Sequence, residues 1–296
     1  MLITLIVASI TFGLVAQGQK EQISPLKVGM MSAVDIIPFY VASQHGYFEE
    51  EGVDVELILF SNGQARQTAL QTGTVDGTMT DLISIILSNA NGFALFGTLS
   101  TDGVFPLLSH VNLETTNTIN AGVMQVSVTN YLLDTYLANT HNLNKIYIND
   151  IPTRLEALTS NNIDVGIFPE PFASIGALRG LEKIIFKENN IESVDIIAFT
   201  QKAIHEKSDQ IGAFHRAYNK AVIALGNGEV DGEEILFASI PALPVAIKGT
   251  INIPTFTKAH LPSREFVNEL INYTNKISGQ QINLTYDAII DKRFLK

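Results

Sequence analysis

Three acidic residues stand where short apolar runs of this chain give way to polar ones. Asp35 follows Lys27-Val28-Gly29-Met30-Met31, Asp81 follows Val75-Asp76-Gly77-Thr78-Met79, and Glu170 follows Ile163-Asp164-Val165-Gly166-Ile167-Phe168. Small polar residues gather at the same kind of junction: Ser32, Asn62, Gly63, Gln64, Thr80, Ser100, Thr101, Gln125, Ser127 and Thr129. No Lys or Arg belongs to this set. An anion held there would depend on helix N-termini alone, worth about 0.3–1 kcal/mol each when exposed. A neutral or cationic molecule with N–H donors would use the carboxylates directly, so the set favours a ligand of that kind. Phe39, Tyr40 and Phe172 are candidates for aromatic walls, although aromatic residues at helical spacing also build cores.

Several of these residues have a purely structural explanation as well. Asn62 and Ser127 precede helical segments and suit N-caps, worth about 1 kcal/mol each. Asp81 precedes the apolar helical run from Leu82 to Asn89 and can cap it. Asp35 can simply end a loop. Glu170, held between Pro169 and Pro171, is harder to explain as a solvated surface group and is expected in a cleft. Arg154, inside a helical run, is expected on the helix surface.

Other chemistries are disfavoured. The chain has no cysteine, which removes disulfides, thiolate catalysis, Cys-based zinc sites and a lipoprotein anchor. The G-x-S-x-G spacing of serine hydrolases is absent. The histidines (45, 110, 141, 205, 215 and 260) form no H-x-x-x-H pair, and no metal or other cofactor is expected. A net charge of −11 disfavours nucleic acid and anionic membranes as partners.

The elements that would position the set read as strand, loop, helix, strand, loop, helix, strand from Val28 to Asp81. Pro38 suits the first turn of a helix ending at Gly46, Val53 to Phe60 alternates as a strand, and Ser61-Asn62-Gly63 opens a helix that Gly73 stops. Such a series implies parallel strands joined by right-handed crossovers, with ligands outside the carboxyl ends of the strands. The order recurs from Ala121 to Pro171 without sequence identity between the halves. Ile184-Ile185-Phe186 and Val194 to Phe199 read as strands returning the chain to its first half. Lys207 to Leu225 is an amphipathic helix, and Ser263 caps another that runs to Ile277.

The stretch PFYVASQHGYFEEEGVDVELILFSNGQARQTALQTGTVDGTMTD resembles the periplasmic solute-binding proteins of nitrate/sulfonate/taurine-type importers, which share a fold with thiamine-pyrimidine-precursor binding proteins. NNIDVGIFPEPFASI and the closing Tyr286-Asp287-Ala288-Ile289-Ile290-Asp291 are similar to later elements of that family. The resemblance implies an α/β, two-lobed periplasmic-binding-protein type II fold, each lobe a mostly parallel sheet flanked by helices and hinged by two crossover strands near Gly103 and Ala198. It implies a non-enzymatic subunit of an ABC importer that captures a small polar nutrient between the lobes and hands it to a membrane permease driven by an ATPase. The charge argument adds a preference for an amine- or heterocycle-bearing nutrient, such as a pyrimidine, over nitrate and sulfonates. A ligand-binding sensor is the alternative. A pyrimidine-synthase-like enzyme on the same fold is disfavoured because that relative carries a cysteine-rich motif.

Leu2 to Val15 is almost wholly apolar, too short to span a membrane comfortably, and Ala16-Gln17-Gly18 supplies small residues for cleavage, so residues 1–18 read as a signal peptide. A periplasmic or extracellular location follows. The expected organisation is residues 26–103 with 200–296 in lobe 1 and 104–199 in lobe 2, acting as a monomer.

Overall fold

The computed structural model describes residues 24–186 and 192–295. The expected signal segment, residues 1–18, lies outside the described residues. Ten strands form two sheets: β1 (Leu26–Met31), β2 (Val55–Phe60), β3 (Gly77–Asp81), β4 (Leu95–Ser100), β5 (Leu107–Ser109), β6 (Thr118–Val123), β7 (Asn142–Tyr147), β8 (Val165–Ile167), β9 (Glu182–Ile184) and β10 (Asp195–Thr200). The helices are α1 (Ile37–Gln44), α2 (Tyr47–Glu50), α3 (Gly63–Gln71), α4 (Leu82–Ala90), α5 (Val128–Leu137), α6 (Ile151–Thr159), α7 (Phe172–Leu178), α8 (Gln201–Glu206), α9 (Ser208–Gly226), α10 (Gly232–Ser239), α11 (Arg264–Ser278) and α12 (Tyr286–Ile289).

The sheets are laid out alike. The first runs β2-β1-β3-β10-β4 and the second β7-β6-β8-β5-β9. In each, a parallel trio is followed by an antiparallel strand: β10 beside β3, and β5 beside β8. Each antiparallel strand is the one the chain enters immediately after crossing from the other half. The central strands are buried on both faces, as helix-covered sheets require; the consecutive β10 residues Ile196, Ile197, Ala198 and Phe199 have no exposed surface.

Among the described residues, the return to the first sheet is made by β10 alone. The run Ile184-Ile185-Phe186, which the sequence assigns to the return, overlaps at Ile184 the strand β9, and β9 pairs with β5 in the second sheet. Its charged Glu182 and Lys183 suit the edge position it takes there. Ala198, expected at a hinge, sits inside β10 between Thr78 of β3 and Gly97 of β4, so it cannot be one. A boundary after residue 199 would cut through that strand, five of whose six residues precede it.

Packing explains the placement of the helices. Phe39 of α1 stacks on Phe214 and Tyr218 of α9, with ring centroids 5.3 and 4.9 Å apart. Gly46 takes φ 75°, which stops α1 at little steric cost. Gly77 of β3 lies under the Phe199 ring and 2.7 Å from the Ala198 carbonyl oxygen, measured from where a Cβ would stand; a side chain there has no room. Across the two halves, α5 meets α11. Tyr131 packs edge-on to Tyr273 at 5.2 Å, the Tyr131 hydroxyl donates to Glu269 Oε1 at 2.8 Å, and the Tyr273 hydroxyl donates to Asp134 Oδ2 at 2.8 Å.

Candidate functional site

Four helices begin at the ends of parallel strands and aim their N-termini at one cleft. Asn62 Oδ1 accepts from Ala65 N at 2.9 Å and caps α3. Asp81 accepts from Ser84 N at 2.8 Å and from its hydroxyl at 3.0 Å and caps α4. Ser127 Oγ accepts from Thr129 N at 3.0 Å and caps α5, and Asp150 Oδ1 accepts from Thr153 N at 2.9 Å and caps α6. Two of these helices belong to each half, and the cleft between them measures about 880 Å³, a size that suits small-molecule sites.

Of the residues expected at the site, Ser32, Asn62, Gly63, Gln64, Thr80, Asp81, Gln125, Ser127 and Thr129 line this cleft. Asp35, Ser100, Thr101 and Glu170 do not; all four are buried behind its floor. Thr101 Oγ1 donates to Asp35 Oδ2 at 2.6 Å. Glu170 turns inward. Its carboxylate accepts from Ser174 N and Oγ at 3.1 Å each, from Asn252 N at 3.2 Å and from Lys183 Nζ at 2.8 Å. The flanking prolines that suggested a cleft role instead belong to a loop whose carboxylate serves α7. Phe172 lines the cleft, joined by Phe105, but Phe39 lies in the core and Tyr40 packs against it.

Four charged residues outside the expected set complete the lining: Arg66, Asp150, Arg154 and Asp195. Arg154, expected on a helix surface, has no exposed area. Its guanidinium donates to the Ile148 carbonyl at 2.7 Å and lies 5.1 Å above the Phe168 ring, and burial pushes its pKa down to about 10. Arg66 projects from the first turn of α3, where Nη2 donates to Thr80 Oγ1 at 3.0 Å while Nε is buried without a partner. Burial lowers its pKa, and Asp81 and Asp195 oppose that shift. The expectation of a site without Lys or Arg is therefore corrected. A single basic residue at the fourth position of a helix repeats no periodic pattern, whereas the Asp interrupting Val194-Asp195-Ile196-Ile197 was a readable signal.

Asp195 is 9% exposed, and among the described residues its carboxylate has no hydrogen-bond or ion-pair partner. Burial, then the charges of Asp35 and Asp81, raise its pKa well above the usual carboxylate range. Burial pushes Asp35 up to about 6, against the Thr101 hydrogen bond. Burial also raises Asp81, with the Ser84 N–H and Arg66 opposing. The cleft thus sets the Arg66 and Arg154 guanidiniums and four helix N-termini around its walls, two with neutral caps (Asn62, Ser127) and two with acidic ones (Asp81, Asp150), and Asp195 without a partner among the described residues.

Residues 33–227 match the family model described as NMT1/THI5 like, more than half of the 296 residues. The chain belongs to the NMT1/THI5-like family. No curated protein matches it by sequence. Among solved structures, it is similar to a ligand-binding component of an ABC-type import system from Staphylococcus aureus, solved with zinc bound (14% identity over 91% of this chain and 97% of that one, TM-score 0.75). It is also similar to the alkanesulfonate-binding protein SsuA from Xanthomonas axonopodis pv. citri, bound to MOPS (16%, 90% and 98%, TM-score 0.73), and to the periplasmic nitrate-binding protein NrtA from Synechocystis PCC 6803 (12%, 92% and 87%, TM-score 0.70). The fold of this NMT1/THI5-like protein is that of the periplasmic binding proteins, two α/β lobes with a cleft between them. Among its described residues no group of three His, Cys, Asp or Glu could hold a metal ion.

Proposed function

We propose that this protein is the solute-binding subunit of an ABC importer, working outside the cytoplasmic membrane as a monomer and delivering a small polar solute to a permease driven by an ATPase. The observation that carries this reading is the cleft itself. Both lobes contribute helix N-termini and strand ends to one cavity large enough for a small metabolite, in a fold shared with the binding components of import systems. The lining residues Ser32, Asn62, Gly63, Gln64, Thr80, Asp81, Gln125, Ser127 and Thr129, with Arg66 and Asp195, are the proposed ligand contacts. Asp35, Ser100, Thr101 and Glu170 support them from behind.

Closure follows from the connections. The outgoing crossing at Thr101 to Pro106 and the incoming one before Asp195 run side by side, and Thr101 N donates to the Asp195 carbonyl at 3.0 Å. Ligand bridging the lobes would bend these segments and bring the walls together. The carboxyls at the floor favour a solute with N–H donors, such as an amine or an aminopyrimidine, over a bare oxyanion.

A thermal-shift panel on the purified protein tests the reading, spanning sulfonates, nitrate, aminopyrimidines, thiamine, riboflavin, amino acids and polyamines. A ligand at a hundred times its dissociation constant adds about 2.7 kcal/mol to stability, which gives a clear rise in the unfolding midpoint. No rise with any class would contradict solute capture.

A further inference from the structure

Beside the cleft floor, two carboxyls flank the outgoing crossing. A Cβ on Gly103 would stand 3.3 Å from Asp195 Oδ2 and 3.7 Å from Asp35 Oδ2, so both acids border the same glycine. Asp35 is 1% exposed, and its Oδ1 is buried without a partner. Asp195 is nine-tenths buried, lines the cleft and has no partner among the described residues. Among the described residues, no Lys or Arg forms an ion pair with either. Arg66 acts on Asp195 only at longer range and is already engaged by Thr80. Asp81, the third carboxyl here, is occupied by its capping bonds to Ser84. Two buried acids without a counter-ion are costly unless they hold a proton or acquire a cation.

We propose that the solute carries a protonated nitrogen and that Asp195, backed by Asp35, is its counter-ion, so that seating the cation releases to solvent the proton the empty pair holds. This rests on the solute-capture reading above and deepens it by naming the charge of the ligand. The balance is simple: a carboxyl O–H bond breaks, its proton goes to buffer, and the carboxylate pairs with the arriving ammonium or amidinium. The groups facing the pair are Asp81, Arg66, Asp102 and Tyr218. Because Asp195 begins the returning strand and bonds through its carbonyl to Thr101 N, the cation sits on the segment that must move when the lobes close. An acid group elsewhere on the solute is accommodated by Arg66 and the N-termini of α3 and α5, which have neutral caps.

Matched pairs differing by ammonium against hydroxyl provide the test: putrescine with 1,4-butanediol, β-alanine with 3-hydroxypropionate, and taurine with isethionate. These are titrated calorimetrically into the purified protein in two buffers of different ionisation enthalpy. The expected result is that any pair that binds does so at least tenfold more tightly as the ammonium member, with proton release that fades as pH rises. Asp195→Asn should remove both the preference and the release, and Asp35→Asn should diminish the release, which also guards against a single variant failing to fold. A hydroxyl member binding as tightly as its partner, or a preference surviving in Asp195→Asn, overturns the cation seat while leaving solute capture intact. Absence of binding by every pair, together with a blank solute panel, overturns both.

Discussion

Replacing Asp35 by Asn should make the ligand-free protein relatively more stable as the pH rises. Asp35 is 1% exposed, with one oxygen accepting the Thr101 hydroxyl at 2.6 Å and the other without a partner. Burial raises its carboxyl from 3.8 to about 6. A carboxyl with a raised pKa in the folded state binds its proton more tightly there than in the unfolded chain. Its contribution is therefore fully present below pH 3.8 and is lost as pH climbs through about 6. A difference of about two pH units corresponds to about 3 kcal/mol. Asn matches the shape, retains a carbonyl for Thr101 and does not titrate. Other groups largely cancel between wild type and variant, and relief of neighbouring Asp195 acts in the same direction. Urea denaturation of both proteins at pH 3 and pH 8 should show the stability difference moving by about 3 kcal/mol in favour of Asp35→Asn. A constant difference, or a wild type that gains on the variant with rising pH, would refute the claim that this carboxyl is buried without compensation.

Four further substitutions test the framework around the cleft, each by denaturant unfolding. Ser127→Ala removes the cap of α5 and should cost about 1 kcal/mol; no loss would mean that the Ser127 hydroxyl does not serve the helix. Glu170→Ala strands Lys183 and the N–H donors of Ser174 and Asn252, so it should cost about 3–5 kcal/mol, more than Lys183→Met, which leaves Glu170 its other donors; the reverse order would contradict the buried network. Gly77→Ala forces a methyl against Phe199 and the Ala198 carbonyl and should cost about 1–3 kcal/mol; wild-type stability would show that the β3–β10 contact is looser than described.

Local structure was legible wherever one residue's chemistry decided it. Asn62, Asp81, Ser127 and Ser263 read as N-caps and are N-caps, because a short acceptor before an apolar helical run has little else to do. Gly46 read as a helix stop for a similar reason. What the sequence could not show was pairing between distant segments. The apolar runs at residues 184–186 and 194–199 read alike locally, yet the first begins at the end of a strand that closes the second sheet and the second enters the middle of the first. The direction of long side chains was equally hidden. Glu170 and Asp35 follow strand ends as expected, but backbone geometry turns them away from the cleft, while Arg66, which the spacing placed nowhere, and Arg154, expected on a helix surface, both reach the lining.

The account's central claim is that solute binds between the lobes, and a cleft-filling substitution tests it most directly. Gln125 stands at the tip between β6 and α5 with its side chain exposed to the cleft, and its structural bond, to Asn130 Nδ2, comes from the backbone carbonyl. The strongest solute from the thermal-shift panel should therefore be titrated calorimetrically into wild type and Gln125→Trp. The account expects one site in the wild type and at least a tenfold loss in the variant, with the ligand-free unfolding midpoint unchanged. Equal affinity in the two proteins would place the ligand outside the cleft and contradict the account.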